Sequence, residues 1–218
     1  MNFGCPSATV VGKGRGSGIL RDIDKLDEFL DAIFASSNIK ISVKTRIGYS
    51  SPDEFEALMR IYNRYPIERL IIHPRTRNEL YSGRVHTEVF DYAYSESKNP
   101  LCYNGDIVTK EDYGAIAEKY PKLESIMIGR GAVQNPAIFR EINGGKRLCR
   151  EDVLNFLTAL KDEYSQKYRC DTFTLHKLKE VCIYLLYNHL DDKKLHKAVK
   201  KAQKPDGIMK AMEAFGEI

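Results

Sequence analysis

Three absences narrow the field before any motif is read. No apolar run in the 218 residues approaches the ~20 that a membrane-spanning helix needs. The first residues also lack the basic and then apolar pattern of a secretory signal, so a cytoplasmic protein with no membrane partner is expected. No C-x-x-C pair occurs either. The five cysteines, Cys5, Cys102, Cys149, Cys170 and Cys182, are odd in number and widely spaced. That argues against a zinc site or a disulfide framework and fits a reducing compartment, with no metal expected. Low-complexity segments are missing as well.

What is present is ordinary in amount and uneven in placement. Hydrophobic residues make up 43% and charged residues 29% of the chain, enough for one large or two modest domains with ample core. The net charge of +4 lies wholly in the last third. Residues 1–139 hold 18 Lys+Arg against 18 Asp+Glu, and residues 140–218 hold 16 against 12. From Lys193 to Lys210, seven lysines meet one acid, Asp206. Such a run is either a solvated helix face or a surface for a polyanion, most naturally nucleic acid.

From Leu20 to about Gly145, short apolar runs alternate with helical patterns at intervals of about one βα unit. The runs are Ile41-Ser42-Val43, Leu70-Ile71-Ile72, Leu101-Cys102-Tyr103 and Ser125-Ile126-Met127-Ile128, each too short for a buried helix. Helices are predicted at Asp22 to Ser36, after the capping box Ser51-Pro52-Asp53-Glu54, at Thr87 to Tyr94 and at Thr109 to Tyr120. Strands alternating with helices imply a parallel sheet covered by helices. Each run is followed by polar or glycine residues: Lys44-Thr45-Arg46, His73-Pro74-Arg75-Thr76, Asn104-Gly105-Asp106 and Gly129-Arg130-Gly131. Active sites form at strand ends in barrels and in doubly wound sheets alike. The two glycine-bearing loops, followed by a short helix opening at Asn135-Pro136-Ala137, favour the barrel, whose last loops and extra helix usually hold phosphate. Beyond Gly144-Gly145 no strand is predicted, and apolar residues keep helical spacing to the end. This predicts a bundle of about four helices, giving domains at 1–145 and 146–218.

At the start, Asn2-Phe3-Gly4-Cys5-Pro6 places a thiol on a defined turn after the end of a strand. Gly12, Gly14, Gly16 and Gly18 would let backbone lie close to a flat or phosphorylated ligand. A lone loop cysteine is usually inert, so the turn alone does not make Cys5 catalytic.

Taken in order, Asn2-x-Gly4-Cys5-Pro6 with Val10 and the glycines, Val43-Lys44-Thr45-Arg46, Ile72-His73-Pro74-Arg75-Thr76, Asn104-Gly105-Asp106 and Ile128-Gly129-Arg130-Gly131-Ala132 are similar to motifs of the tRNA-dihydrouridine synthases. The resemblance spans essentially the whole chain. It implies an FMN-dependent catalytic domain, here a partial TIM (β/α)8 barrel of about its C-terminal half to five-eighths, followed by an all-α bundle that binds tRNA. It further implies reduction of uridine to 5,6-dihydrouridine, with NADPH as electron donor and Cys5 as the acid that protonates C5. A thiol suits that role, because an ordinary pKa of about 8.5 leaves it mostly protonated at neutral pH. By position, Lys44, His73, Asn104, Gly105, Asp106, Gly129 and Arg130 would bind the cofactor. Arg46, Arg75 and Arg77 would face the RNA backbone or the uracil, a plain surface role being the alternative, and Lys193, Lys197, Lys200 and Lys201 would contact tRNA. Tyr49 and Tyr81, on strand-end loops, could stack on bases. His86, His176, His189 and His196 read as structural or surface, and Cys102 and Cys182 as core.

The chain departs from the family pattern at its start. An eight-stranded barrel takes about 250 residues, so three strands and most of a fourth, on the order of 80 to 90 residues, are expected to precede Asn2. A chain without them is expected to hold FMN poorly. Two rivals remain open: another FMN-barrel reductase acting on a free pyrimidine, and a non-catalytic RNA-binding remnant. The lysine-rich helices speak against the first.

Overall fold

Each apolar run becomes a strand in the computed structural model, which describes residues 1–216. The strands are β1 (Asn2–Phe3), β2 (Ser42–Arg46), β3 (Arg69–His73), β4 (Leu101–Tyr103) and β5 (Ser125–Ile126). They form one sheet in the order β1-β2-β3-β4-β5, every pair parallel. Strand order follows chain order without the reversal that marks a doubly wound sheet. β2 and β3 are longer than their apolar runs and take in Lys44, Thr45, Arg46 and His73, which were expected to follow the strands. β5 is shorter than its run.

The helices are α1 (Ala8–Val11), α2 (Ile23–Ser36), α3 (Phe55–Tyr62), α4 (Thr87–Glu96), α5 (Lys110–Lys119), α6 (Arg130–Gln134), α7 (Ile138–Ile142), α8 (Arg150–Tyr168), α9 (Asp171–Leu185), α10 (Lys193–Lys201) and α11 (Pro205–Met212). Short 3₁₀ turns at Gly16–Arg21 and Pro52–Glu54 lead into α2 and α3. The predicted capping box is formed. Ser51 Oγ accepts from the Asp53 N–H at 3.2 Å, and the Glu54 carboxylate returns to the N–H groups of Ser51 at 2.9 Å and Ser50 at 3.0 Å. Thr109 caps α5 through the Asp112 N–H at 3.1 Å.

Cα packing divides the chain into two compact units, Met1–Asp106 with Ile116–Met127, and Ile107–Ala115 with Ile128–Ile218. In the first, one sheet face is apolar and covered by helices. Phe55, Leu58, Met59 and Tyr62 of α3, spaced three and four apart on one helix face, are all buried, together with Leu26 and Leu30 of α2 and Phe90 and Ala93 of α4. Ile23, at helical spacing with Leu26 and Leu30, is exposed. In the second unit, α8, α9, α10 and α11 contribute to a shared core that includes Val153, Leu157, Leu178, Cys182, Leu195, Val199, Ile208 and Met212. Pro205-Asp206-Gly207, residue types that by themselves signal a turn, form the first turn of α11, with proline at a position whose N–H needs no partner. Among the described residues no helix is long and apolar enough to cross a membrane.

Candidate active site

The Cys5 turn is held from both sides along the chain. Asn2 Oδ1 accepts from the Gly4 N–H at 2.9 Å and the Cys5 N–H at 3.2 Å, a side chain standing in for a backbone turn acceptor. The Cys5 carbonyl accepts from the Ser17 N–H at 3.0 Å and the Ser17 hydroxyl at 2.8 Å. Gly16, at φ +56°, makes that approach possible, since a Cβ there would lie 2.8 Å from the Cys5 oxygen. A Cβ on Gly18 would lie 2.7 Å from the Val11 oxygen. These two glycines therefore let the chain approach itself, where the sequence suggests contact with a ligand.

Pleating sorts the strand residues into two faces. The register aligns Phe3, Thr45, Ile72, Tyr103 and Ile126 laterally, on the helix-covered side, where Tyr62 of α3 meets Thr45 Oγ1 at 2.9 Å. It aligns Asn2, Lys44, Ile71, Cys102 and Ser125 on the other face, and one step on sets Arg46 beside His73. The second face is thus polar at β1, β2 and β5 and toward the strand ends. Lys44 is half-buried, its Nζ 3.9 Å from where a Cβ on Gly4 would lie. Among the described residues no carboxylate is bonded to it. Burial, and then the neighbouring Arg46 charge, lower its pKa from lysine's ordinary 10.5 to about 8. Burial and the cations Arg46, Lys44 and Arg75 push His73 down to about 3, so the imidazole is neutral at pH 7. Arg75 Nη1 lies 3.4 Å from His73 Nε2. An arginine can only donate, so that nitrogen accepts and Nδ1 carries the proton.

Arg46 and Arg75, expected at an RNA-facing surface, are buried, at 1% and 3% exposure. Both donate to groups inside the protein. Arg46 Nε donates to the Gly4 carbonyl at 3.0 Å, and its Nη1 donates to the carbonyls of Thr76 at 2.7 Å and Leu80 at 2.8 Å. Arg75 grips Asp106 with both Nη atoms, one at 2.7 Å, and donates through Nε to Gly83 O at 2.7 Å. Asp106, expected among the cofactor contacts, is therefore the partner of Arg75, in a left-handed conformation at φ +41°. Asn104 is half-buried and donates to the Met127 carbonyl at 2.9 Å, and Gly105 is buried. Tyr81 is half-exposed and stacks on His73, ring centroids 6.0 Å apart. Tyr49 lies between the guanidinium groups of Arg21 at 4.3 Å and Arg77 at 5.4 Å.

In the second unit, Gly129 is exposed and Arg130 half-buried at the start of α6. Gly131 is required there, because a Cβ would fall 2.1 Å from the Ile107 oxygen. Two N–H groups at the opening of α7, where an anion was expected, donate within the chain: Ala137 to Asn135 Oδ1 at 2.9 Å and Ile138 to the Asn135 carbonyl at 3.0 Å. Lys193, Lys197, Lys200 and Lys201 are exposed on α10, across the helix from buried Leu195 and Val199.

Sequence reasoning missed three supports of the site. Asn2 was recognised as part of a motif but not as the cap of the turn, although an Asn two residues before Gly is a turn signal. Ser17 and Glu79 were not singled out, and His86, read as structural or surface, was not tied to the network it forms with Glu79 and Thr76. Glu79 accepts from the Thr76 N–H at 2.6 Å and pairs with His86 Nε2 at 2.7 Å.

A parallel sheet in chain order, with a thiol turn, a lysine that no carboxylate pairs among the described residues and a neutral histidine at its strand ends, is laid out as α/β enzymes are. The family model for dihydrouridine synthase matches residues 1–212. The chain belongs to that family. A probable tRNA-dihydrouridine synthase of Staphylococcus aureus (strain MRSA252) is 34% identical over 173 residues, 76% of this chain and 52% of that relative. A probable tRNA-dihydrouridine synthase 2 of Bacillus subtilis (strain 168) is 34% identical over 175 residues, 77% and 53% of the two chains. tRNA-dihydrouridine synthase B of Pseudomonas putida is 32% identical over 143 residues, 65% and 42%. The chain spans about half the length of these curated relatives.

Proposed function

We propose that this chain serves the reduction of uridine to 5,6-dihydrouridine in tRNA, with FMN as cofactor and NADPH as electron donor, in the cytoplasm. The observation that carries this reading is the first unit's combination of a firmly held Cys5 turn with Lys44 and His73 at neighbouring strand ends. A half-buried ammonium without a carboxylate is costly unless a ligand brings negative charge or a strong acceptor. The donor set fits a flavin in that respect. Lys44 would donate to the ring system, the neutral His73 would offer its Nδ1–H, and Asn104 and Gly105 would line the cofactor's path. Asp106 would act indirectly, by fixing Arg75 behind His73.

When bound, reduced FMN would supply the hydride that arrives at C6 of the uracil. Cys5 would hold a proton on Sγ and deliver it to C5, leaving a thiolate to be reprotonated from solvent. The base must leave its stack to reach these groups. Residues 1–145 would then be the catalytic part of a (β/α)8 barrel, and 146–218 a helical tRNA-binding domain. α10 is suited to RNA, because lysines over nine residues span about 12 Å of helix, room for two or three phosphates.

The test is to incubate tRNA lacking dihydrouridine with the chain, FMN and NADPH and to quantify dihydrouridine by mass spectrometry. Cys5→Ala should lose product while keeping the same flavin content. Undiminished product from Cys5→Ala would remove Cys5 as the acid, and no product from flavin-loaded chain would overturn the reading.

A further inference from the structure

We propose that Arg46 is a positioning residue: by bonding the Gly4, Thr76 and Leu80 carbonyls at once, it locks the Cys5 turn to the loop that follows β3 and so sets where the thiol stands. Its importance for catalysis rests on the role proposed above for Cys5; the clamp itself does not. The other bonds that hold this turn, from Asn2 and Ser17, come from within the first 17 residues. Beyond the β1–β2 ladder, which ends at Phe3, Arg46 links the turn by its side chain to β2 and to the loop after β3. One planar guanidinium, with donors fixed in a fork, reaches Gly4 O through Nε and both Thr76 O and Leu80 O through Nη1. A lysine has one ammonium and cannot span three carbonyls on two segments.

Two further observations fit a clamp rather than a casual buried arginine. Leu80, whose carbonyl Arg46 holds, sits at φ +52°, a conformation a branched side chain keeps only where its surroundings impose it. The Arg46 guanidinium also lies 5.2 Å from the centroid of the Tyr81 ring, which stacks on His73. The same residue therefore steadies the Cys5 turn and the aromatic ring over His73. Burying a guanidinium at 1% exposure without a carboxylate bonded to it is unfavourable, and an apolar residue would fill the space at less cost. What an apolar residue cannot do is tie the two segments together.

The experiment reads thiol reactivity and needs neither flavin nor tRNA, so its outcome is separate from that of the activity assay. Wild type and Arg46→Lys are treated with iodoacetamide, and alkylation of Cys5 is followed by peptide mass spectrometry with exposed Cys170 as internal reference. In a folded Arg46→Lys chain, Cys5 alkylation relative to Cys170 should change by about five-fold or more, the factor expected for losing one ordinary hydrogen bond. Tryptic cleavage after Arg77 should quicken as well. A Cys5 rate within two-fold of wild type in the folded variant overturns the proposal. Should the variant fail to fold, wild type in sub-denaturing urea decides. A clamp makes the two segments open as one unit, so Cys5 alkylation and cleavage after Arg77 must rise with the same urea dependence. Two separate dependences refute it.

Discussion

Replacing Lys44 by Met should make the chain more stable and its flavin affinity worse. Methionine keeps a stem of similar length and removes the charge. The fall of the Lys44 pKa from 10.5 to about 8 measures how much less the folded chain tolerates the ammonium than the unfolded chain does. Taken at face value that is about 3 kcal/mol. Partial solvent contact of the half-buried side chain reduces it to about 1–2 kcal/mol. The sign follows from proton binding. Between pH 8 and 10.5 the unfolded chain keeps this proton and the folded chain does not, so the stability linked to Lys44 is full above 10.5 and lost as pH falls through 8. The gain on substitution should therefore be largest at pH 7 and fade by pH 10. Urea unfolding of both proteins at the two pH values, with FMN titrated by fluorescence quenching, provides the assay. A Lys44→Met chain no more stable than wild type at pH 7, or a difference that does not shrink by pH 10, would show that Lys44 carries no such burden. Flavin affinity equal to wild type would remove its assigned role.

Three further outcomes are expected. Gly16→Ala forces a Cβ to within 2.8 Å of the Cys5 oxygen at φ +56°, and should cost about 1–3 kcal/mol in urea unfolding while raising Cys5 alkylation. Asp106→Asn breaks an ion pair whose Arg75 side is 4% exposed but whose Asp106 side is 42% exposed. About 1–2 kcal/mol should be lost, with a rise in His73 reactivity toward diethylpyrocarbonate as Arg75 loosens. Lys197→Glu combined with Lys201→Glu should weaken tRNA binding and lower the slope of log affinity against log salt by about two, with helix content unchanged by circular dichroism. An unaltered slope would take α10 off the RNA.

The helix-covered half of the first unit was legible because apolar spacing and capping obey local rules. Phe55, Leu58, Met59 and Tyr62 are buried as their spacing predicts, and Ser51 and Thr109 cap as their residue types predict. Strand limits were not legible by the same means. A search for apolar runs stops at Lys44, yet β2 runs on to Arg46 because Thr45 alone of the three must satisfy the helix side, which it does through Tyr62. Lys44 and Arg46 point to the opposite face, where the apolar rule does not apply. The fate of Arg46 and Arg75 was hidden for a related reason. Three carbonyls and one carboxylate that accept from them lie 30 to 42 residues away along the chain, and no local pattern announces a long-range acceptor. Ile23 shows the converse, an apolar residue at helical spacing that remains 37% exposed.

These two kinds of misreading share a cause, and it bears on function. The polar face of the sheet holds one lysine without a carboxylate, two buried arginines and a histidine kept neutral, against Asp106 as the acid that pairs with Arg75. Stability alone would select for apolar residues at Lys44 and Arg46, since removing a buried charge together with its desolvation cost is often neutral or favourable. The strand carries them at the places where its pleat turns away from the helices, one step and three steps past Val43. Arg46 is accounted for by what it ties together. Lys44 pairs with no carboxylate among the described residues: its ammonium stands beside Gly4, next to the Cys5 turn, where a ligand's negative charge or carbonyl would repay its burial. A ligand that offers negative charge or a carbonyl at that point would raise the Lys44 pKa back toward 10.5. Flavin binding should accordingly take up a proton above pH 8, and affinity should fall as pH rises through 8 to 10. Affinity flat across that range would mean that the ligand's contact with the β2 end is made by something other than the ammonium of Lys44.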